Sequence, residues 1–311
     1  MKCCNTASNV AERAIGQHSG RLHDVETRQL KATAGFVIYD LPGAENYVGP
    51  ARLGAKLTPG NATMLVRHQT YVFAILEQRR SGATVGFKTE PEGAADAIAA
   101  AAGELADELE SQKLLTSAGL RLDRDQLEPF LRHDQRNTIT NDERDGITFE
   151  QELLALGAVT AAEVATGGLD AASVAIEGFG AEGVGIAREV ERRGGKVGRI
   201  STANGCVSGS FDAATLADAW MAAGPACVEQ LGKVGKSWEI WKGDQAALFV
   251  GSKPGAMSGE GASTVGDTPI IATSAAAISS KALAVLRQNG TTAVADFVAN
   301  VGPVLGWWSD E

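Results

Sequence analysis

The chain has no Arg-rich run and no basic stripe; its 28 Lys and Arg residues face 38 Asp and Glu, a formal net charge of −10. Neutralising a nucleic-acid backbone requires clustered cations, so this balance argues against nucleic acid as a partner. Long apolar runs are missing as well. None approaches the ~20 residues that span a bilayer, and the opening MKCCNTASNVAERAIGQHSG lacks the apolar core of a secretion signal. A cytoplasmic protein without membrane contact is expected. Cysteines are scarce: Cys3 and Cys4 are adjacent near the start, Cys206 and Cys227 stand singly, and nothing has zinc-ligand spacing. Reduced, incidental thiols are expected, neither a disulfide framework nor a metal site. Aromatic residues make up only 5% of the chain, and no segment repeats at a fixed period.

What is present suffices for a large core. With 311 residues, 44% of them apolar, about two domains are expected from the usual scaling of core with size. Residues 1–30 are polar and unpatterned and read as a loosely packed lead-in. Over 31–145 a first α/β region is expected: a strand at 35–39, glycine- and proline-punctuated turns at 42–60, a helix over 61–80, and an Ala-rich helix over 94–113 opened by Pro91, Glu92 and Gly93. Within it the stretch 121–146 is highly charged and reads as a solvated connection. Residues 146–300 alternate helix and strand, with a helix over 149–165 and short apolar strands at 246–250, 269–272 and 293–297. That alternation predicts an α/β fold whose second half is a Rossmann-like, doubly wound parallel sheet.

The densest signal lies at 171–205, AASVAIEGFGAEGVGIAREVERRGGKVGRISTANG. An apolar run ends at Ile176; Gly178, Gly180 and Gly183 follow in G-x-G-x-x-G spacing; an amphipathic stretch (Val184, Ile186, Ala187, Val190) leads to a second β-rich run at 196–200. This reads as one βαβ half of a dinucleotide-binding sheet. The first glycine allows the tight turn, the second lets backbone approach a pyrophosphate, and the third brings helix onto strand, leaving the helix N-terminus to receive negative charge. Phe179 lies within the turn.

Six stretches in order resemble the glutamate/leucine/phenylalanine/valine dehydrogenase family over roughly 35–305. GPARLGAKLTP, RHQTYVFAIL and RRSGATVGFKTEPEG resemble its substrate-domain blocks; VAIEGFGAEGVGIAREVERRGGKVGRIS its cofactor-domain opening; ALFVGSKPGAMSGEGA a later strand and loop; and VADFVANVGPVLGWW its P-D-x-x-A-N-A-G-G segment. The resemblance implies an N-terminal α/β substrate domain, a C-terminal dinucleotide domain, and hydride transfer interconverting an amino acid and an oxo acid. It also implies a homo-oligomer, with 301–311 returning to the first domain.

Three departures from the family stand out. Where it places one lysine in M-T-x-K, a second in G-G-A-K-G-G and an aspartate after a T-x-x-D turn, this chain has Val72, Thr84 and Gly119. A valine, a threonine and a glycine cannot supply the cation, the polarising ammonium and the proton acceptor that oxidative deamination uses. The candidate replacements are Arg52, in GPAR, and Lys56 for holding a substrate carboxylate, and Lys88 and His68 for catalysis, His68 standing at i, i+4 from Val72. Asp123 and Asp125 follow Gly119 but lie among arginines, as a solvated ion pair would.

The second strand of the βαβ unit ends on Ser201 and Thr202, where an acid for the adenosine ribose would stand. Without that acid a 2′-phosphate is no longer repelled, and hydroxyls with help from Arg199 or Lys196 could receive it, a leaning towards NADP over NAD. Ser252 and Lys253 fall where the resemblance places small residues near the nicotinamide. Asn300 matches the asparagine of the A-N-x-G block and is a candidate polar contact for cofactor and substrate alike. Trp238, Trp241, Trp307 and Trp308 read as core or subunit-contact packing, or as lining of an aromatic pocket. The expected function is an NAD(P)-dependent oxidoreductase acting on a small molecule such as an amino, oxo or imino acid by an altered mechanism. The alternatives are a catalytically inactive dinucleotide-binding protein and a conventional amino-acid dehydrogenase.

Overall fold

Every residue of the second strand, Gly35–Tyr39, is buried, which requires cover on both faces of its sheet. The computed structural model describes residues 25–308 and divides the chain into two units, one running to Arg136 and the other beginning at Asn137. In the first, β1 (Glu26–Gln29), β2 (Gly35–Tyr39), β3 (Tyr47–Leu53), β4 (Ser81–Phe87) and β5 (Leu114–Ser117) form one sheet in the order β1-β2-β4-β3-β5. β3 runs parallel to β4 and β5, and β2 antiparallel to β1 and β4. Helix α1 (Pro59–Ile75) covers one face, where Phe36 and Ile38 meet Ala62 and Val66. On the other face Val37, Val85 and Phe87 meet Ala94, Ala97 and Ile98 of α2 (Ala94–Glu104).

Three local expectations are corrected here. The lead-in 1–30 contains strand β1, whose Arg28 pairs with Glu108; residues 1–24, with Cys3 and Cys4, lie outside the described residues. The helix expected over 94–113 breaks at Leu105, which leaves helical geometry and is buried, and resumes as α3 (Ala106–Glu110). The charged stretch 121–146 is not a solvated connection throughout. Leu122, Leu127 and Phe130 are buried among its charges, and Phe130, in the short α4 (Glu128–Leu131), meets the Phe87 ring edge-on at 5.9 Å. A few apolar side chains decide the placement of a chain segment whatever the charge between them.

The second unit opens with a small hairpin, β6 (Glu143–Arg144) and β7 (Ile147–Thr148), and then α5 (Phe149–Thr166), started by a reciprocal Thr148–Gln151 capping box. It continues through β8 (Ser173–Glu177), α6 (Ala181–Arg192), β9 (Lys196–Thr202), β10 (Gly205–Phe211), α7 (Ala213–Ala223), α8 (Cys227–Leu231) and β11 (Ala247–Val250). The last elements are α9 (Gly259–Thr264), β12 (Ile270–Ala272), α10 (Ser280–Asn289), β13 (Ala293–Val294), α11 (Asp296–Ala299) and α12 (Gly302–Trp307). The sheet order is β10-β9-β8-β11-β12-β13, which is the 3-2-1-4-5-6 order of dinucleotide-binding sheets.

The sheet is not wholly parallel. β10 runs antiparallel to β9, because only Ala203 and Asn204 separate the paired residues Thr202 and Gly205, and so short a loop can join only antiparallel strands. The strand expected at 293–297 stops at Val294 and turns helical at Asp296. The boundary between units lies before the expected 145/146. Helix α12 packs on α5: a Cβ on Gly302 would lie 2.0 Å from the Leu153 carbonyl oxygen. Cys206 and Cys227 are free and buried, and burial pushes the Cys206 thiol up to about 11.

Candidate functional site

The order reversal between β8 and β11 is the switch point at which open α/β sheets take ligands, beyond the carboxyl ends of the strands. β8 ends at Glu177. Gly178 follows with φ of +77°, and a Cβ there would lie 2.4 Å from Ser252 N, so both conformation and space demand glycine. The N–H groups of Gly178 and Phe179 donate to the Ser201 carbonyl at 3.1 and 2.8 Å, binding the turn to the end of β9. Gly180 caps α6 with extended backbone and no side-chain hydrogen bond, so α6 presents its first N–H groups without a side-chain cap. A Cβ on Gly180 would find nothing nearer than Glu182 Oε2 at 3.7 Å.

The third glycine acts differently from expectation. A Cβ on Gly183 would lie 2.7 Å from the Phe179 ring, so Gly183 makes room for that ring; Gly185 is the residue that admits close approach of α5, with Gln151 O 3.2 Å from its would-be Cβ. Phe179 in turn meets Trp220 of α7 edge-on, centroids 6.2 Å apart. Gly178, Phe179, Gly180, Ala181 and Glu182, the β9 end at Thr202 and Ala203, Trp220, Pro225 and Ser252 line one cavity of about 370 Å³.

Of the groups invoked for a 2′-phosphate, Thr202 lines this cavity, and neither Arg199 nor Lys196 is among its lining residues. Arg199 is buried and held by Asp244 in a two-pronged pair at 2.7 and 2.8 Å, and its Nε donates to Ser208. That pairing raises the Arg199 pKa and lowers that of Asp244. Lys196 opens β9, at the end of the strand opposite the cavity. Thr202 Oγ1 donates to the Pro225 carbonyl at 2.6 Å and accepts from Asn204 N, and Ser201 is buried beneath the turn. Ser252 Oγ and the N–H groups of Gly251 and Ser252 all donate to Glu177, tying the β8 and β11 ends together. Asn300 is buried, with Oδ1 lacking a hydrogen-bond partner.

In the first unit, Arg52, Lys56 and Lys88 gather at the carboxyl ends of the parallel pair β3 and β4. Arg52 stands opposite Gly86, one residue before β3 ends; Gly54 N donates to Phe87 O, joining the loop that carries Lys56 to the strand end that precedes Lys88. Lys56 and Lys88 are exposed. Arg52 is half-buried, its Nε has no hydrogen-bond partner, and burial lowers its pKa. His68 is half-buried on α1. Val72 is buried, Thr84 Oγ1 donates to the Pro50 carbonyl at 2.5 Å, and a Cβ on Gly119 would lie 2.5 Å from the Ala51 carbonyl oxygen.

Sequence reasoning missed Trp220, Pro225, Glu182 and Glu177, and chose the other four tryptophans. Trp241 packs over Gly261, Trp307 and Trp308 meet edge-on at 5.9 Å, and Trp238 is 63% exposed. No local pattern links Trp220 to a turn forty residues earlier. Glu182, within the G-x-G-x-x-G spacing itself, was open to notice.

No protein-family model matches the sequence, and no curated protein matches it. Solved structures do. The leucine-bound form of a hetero-hexameric glutamate dehydrogenase from Thermus thermophilus superposes with a TM-score of 0.76 at 19% identity, covering 98% of this chain and 81% of that one. Glutamate dehydrogenase from Peptoniphilus asaccharolyticus gives 0.69 at 16%, covering 97% and 82%, and L-tryptophan dehydrogenase from Nostoc punctiforme 0.63 at 15%, covering 95% and 81%. The chain therefore has the fold of the amino-acid dehydrogenases.

Proposed function

We propose that the protein is an NAD(P)-dependent oxidoreductase that acts on a small carboxylate-bearing substrate, an amino, oxo or imino acid, by a route that does not use the lysine and aspartate chemistry of its structural relatives. The observation that carries this reading is the glycine turn at the switch point. Gly178 holds the left-handed turn, Gly180 leaves open space before the uncapped N-terminus of α6, and the cavity extends to the end of β9. These features fit a pyrophosphate bound through backbone N–H groups. Gly178, Phe179 and Gly180 would hold it, Thr202 and Ala203 would meet the adenosine ribose, and Ser252 would face the nicotinamide half. The cofactor supplies the hydride acceptor or donor.

This chain's own contribution lies at the ends of β3 and β4. Arg52 offers a fork suited to a carboxylate, with Lys56 beside it, while Lys88 and His68 are the titratable groups for proton movement. Asn300 Oδ1, a buried acceptor without a donor, would take an N–H from cofactor or substrate. The cavity lining has neither an acid at the β9 end nor a cation, so the two cofactors should bind with affinities within about tenfold of each other. Titrating NADH and NADPH by fluorescence, then screening amino, oxo and imino acids for hydride transfer, tests the reading. Failure to bind either cofactor would overturn it.

A second reading, a dinucleotide-binding protein without chemistry, is favoured by the packing of Thr84 and Gly119, which are committed to Pro50 and Ala51. Binding without turnover across the panel would select it. Assembly as an oligomer is proposed by analogy with the hetero-hexameric Thermus thermophilus glutamate dehydrogenase, a homo-oligomer being its simplest form for a single chain.

A further inference from the structure

The first turn of α6 carries an acid where the phosphates of a dinucleotide would arrive. Glu182 lines the 370 Å³ cavity. Its Oε2 lies 3.7 Å from the point where a Cβ on Gly180 would stand, and Trp220 Cη2 lies 3.8 Å from the same point. The space that glycine leaves for a ligand is therefore bordered by a carboxylate and an indole edge. No lysine, arginine or histidine is among the residues lining the cavity, so no side-chain cation there offsets the charge.

An acid in a first turn stabilises its helix through the dipole, and Glu182 gains that ordinary benefit. With a phosphate in place the same charge works against binding, because two anions share one helix end. The repulsion is local and long-lived, since turning an exposed side chain aside moves the carboxylate only a few ångströms within a Debye length of about 10 Å.

We propose that Glu182 is a specificity-determining residue of this site, a carboxylate that holds dinucleotide affinity low and inverts its salt dependence. The proposal rests on the dinucleotide reading of the same turn. A phosphate site built on cations weakens as salt screens the attraction; this one tightens as salt screens the repulsion. The site is thereby biased towards ligands that place less negative charge at the turn.

The test uses the full chain, with NADH and NADPH titrated by fluorescence at ionic strengths of about 0.01 M and about 0.15 M. Glu182→Gln should bind about tenfold more tightly than the unaltered protein at the lower strength, ~1.4 kcal/mol, and the gap should narrow at the higher. Glu191→Gln, which removes the same charge near the far end of α6, should stay within about twofold at both. Thermal melting should show Glu182→Gln no more stable than the unaltered chain, separating a local effect from general stabilisation. Equal affinities for Glu182→Gln and the unaltered protein would overturn the inference and leave the dinucleotide reading standing. Weaker binding by Glu182→Gln would overturn it too, showing that the carboxylate touches the ligand favourably. Absence of binding in every protein would overturn both.

Discussion

The two units arrange chemistry in different materials. In the second, the candidate site is made of backbone: a left-handed glycine, an uncapped helix end and a carbonyl that receives two N–H groups. In the first it is made of side chains, three cations on neighbouring strand ends and loops with His68 on the covering helix. Backbone sites tolerate wide change in sequence because most residues supply the same N–H, whereas a side-chain site is lost with one substitution. A chain 15% to 19% identical to solved structures of this fold can therefore share backbone geometry with them without sharing side chains.

The comparison is broken most severely if the first unit still supports ordinary chemistry. Oxidation of glutamate, leucine, phenylalanine or valine should run well below the ~1–10³ s⁻¹ of a working enzyme, because groups that act as a unit lose nearly everything together. Steady-state assays at saturating cofactor check this, and turnover within that range would show replacements that the arrangement at β3 and β4 does not reveal.

Next in size is the second unit's turn. Gly180→Val should lower dinucleotide affinity by a hundredfold or so, about 2.7 kcal/mol, with the melting transition little changed, since a Cβ there would stand 3.7 Å from its nearest neighbour, Glu182 Oε2. Gly178→Ala should instead cost about 2–4 kcal/mol of folding stability, combining a left-handed backbone with a collision against Ser252 N. Denaturant unfolding of the pair separates a ligand-facing glycine from a structural one. A collapse of stability in Gly180→Val would show that it too is structural.

Within the first unit, Gly119→Asp, which puts a carboxylate where the resemblance implies one, should cost about 1–3 kcal/mol, because its Cβ would meet Ala51 O at 2.5 Å and Pro50 Cβ at 2.7 Å. Recovered amino-acid oxidation in a stable Gly119→Asp variant would remove the distinction drawn here. The smallest effect concerns the Arg199–Asp244 pair. Asp244 is held below its ordinary carboxylate range by the Arg199 hydrogen bond, so its contribution is full above the unfolded pKa of about 3.9 and is lost as pH falls through the lower folded value. Asp244→Asn should cost about 1 kcal/mol at neutral pH and flatten that acid limb, as chemical denaturation between pH 7 and pH 3 would show.

How much could be read in advance follows the same division. The β2 strand, the βαβ unit, helix α5 and the short strands β11 and β12 were legible because each is a local pattern of apolar residues with a glycine or capping signal at its end. The contributions of Trp220 and Pro225 were not. They reach the turn through the β9–β10 hairpin and the helix after it, and nothing near either residue marks the destination. Arg199 illustrates the reverse error, a cation near the right place in sequence whose partner, Asp244, lies forty-five residues on.

By itself the sequence determined the alternation of strand and helix, the positive-φ turn at Gly178 and the residue types at Val72, Thr84 and Gly119, since conformational range and side-chain chemistry belong to the residue. Only the tertiary structure decided that Arg199 faces Asp244 and that Trp220 and Pro225 reach the glycine turn. Those outcomes depend on which distant groups arrive within a few ångströms, and packing and hydrogen bonding at that range are properties of pairs that no single position encodes.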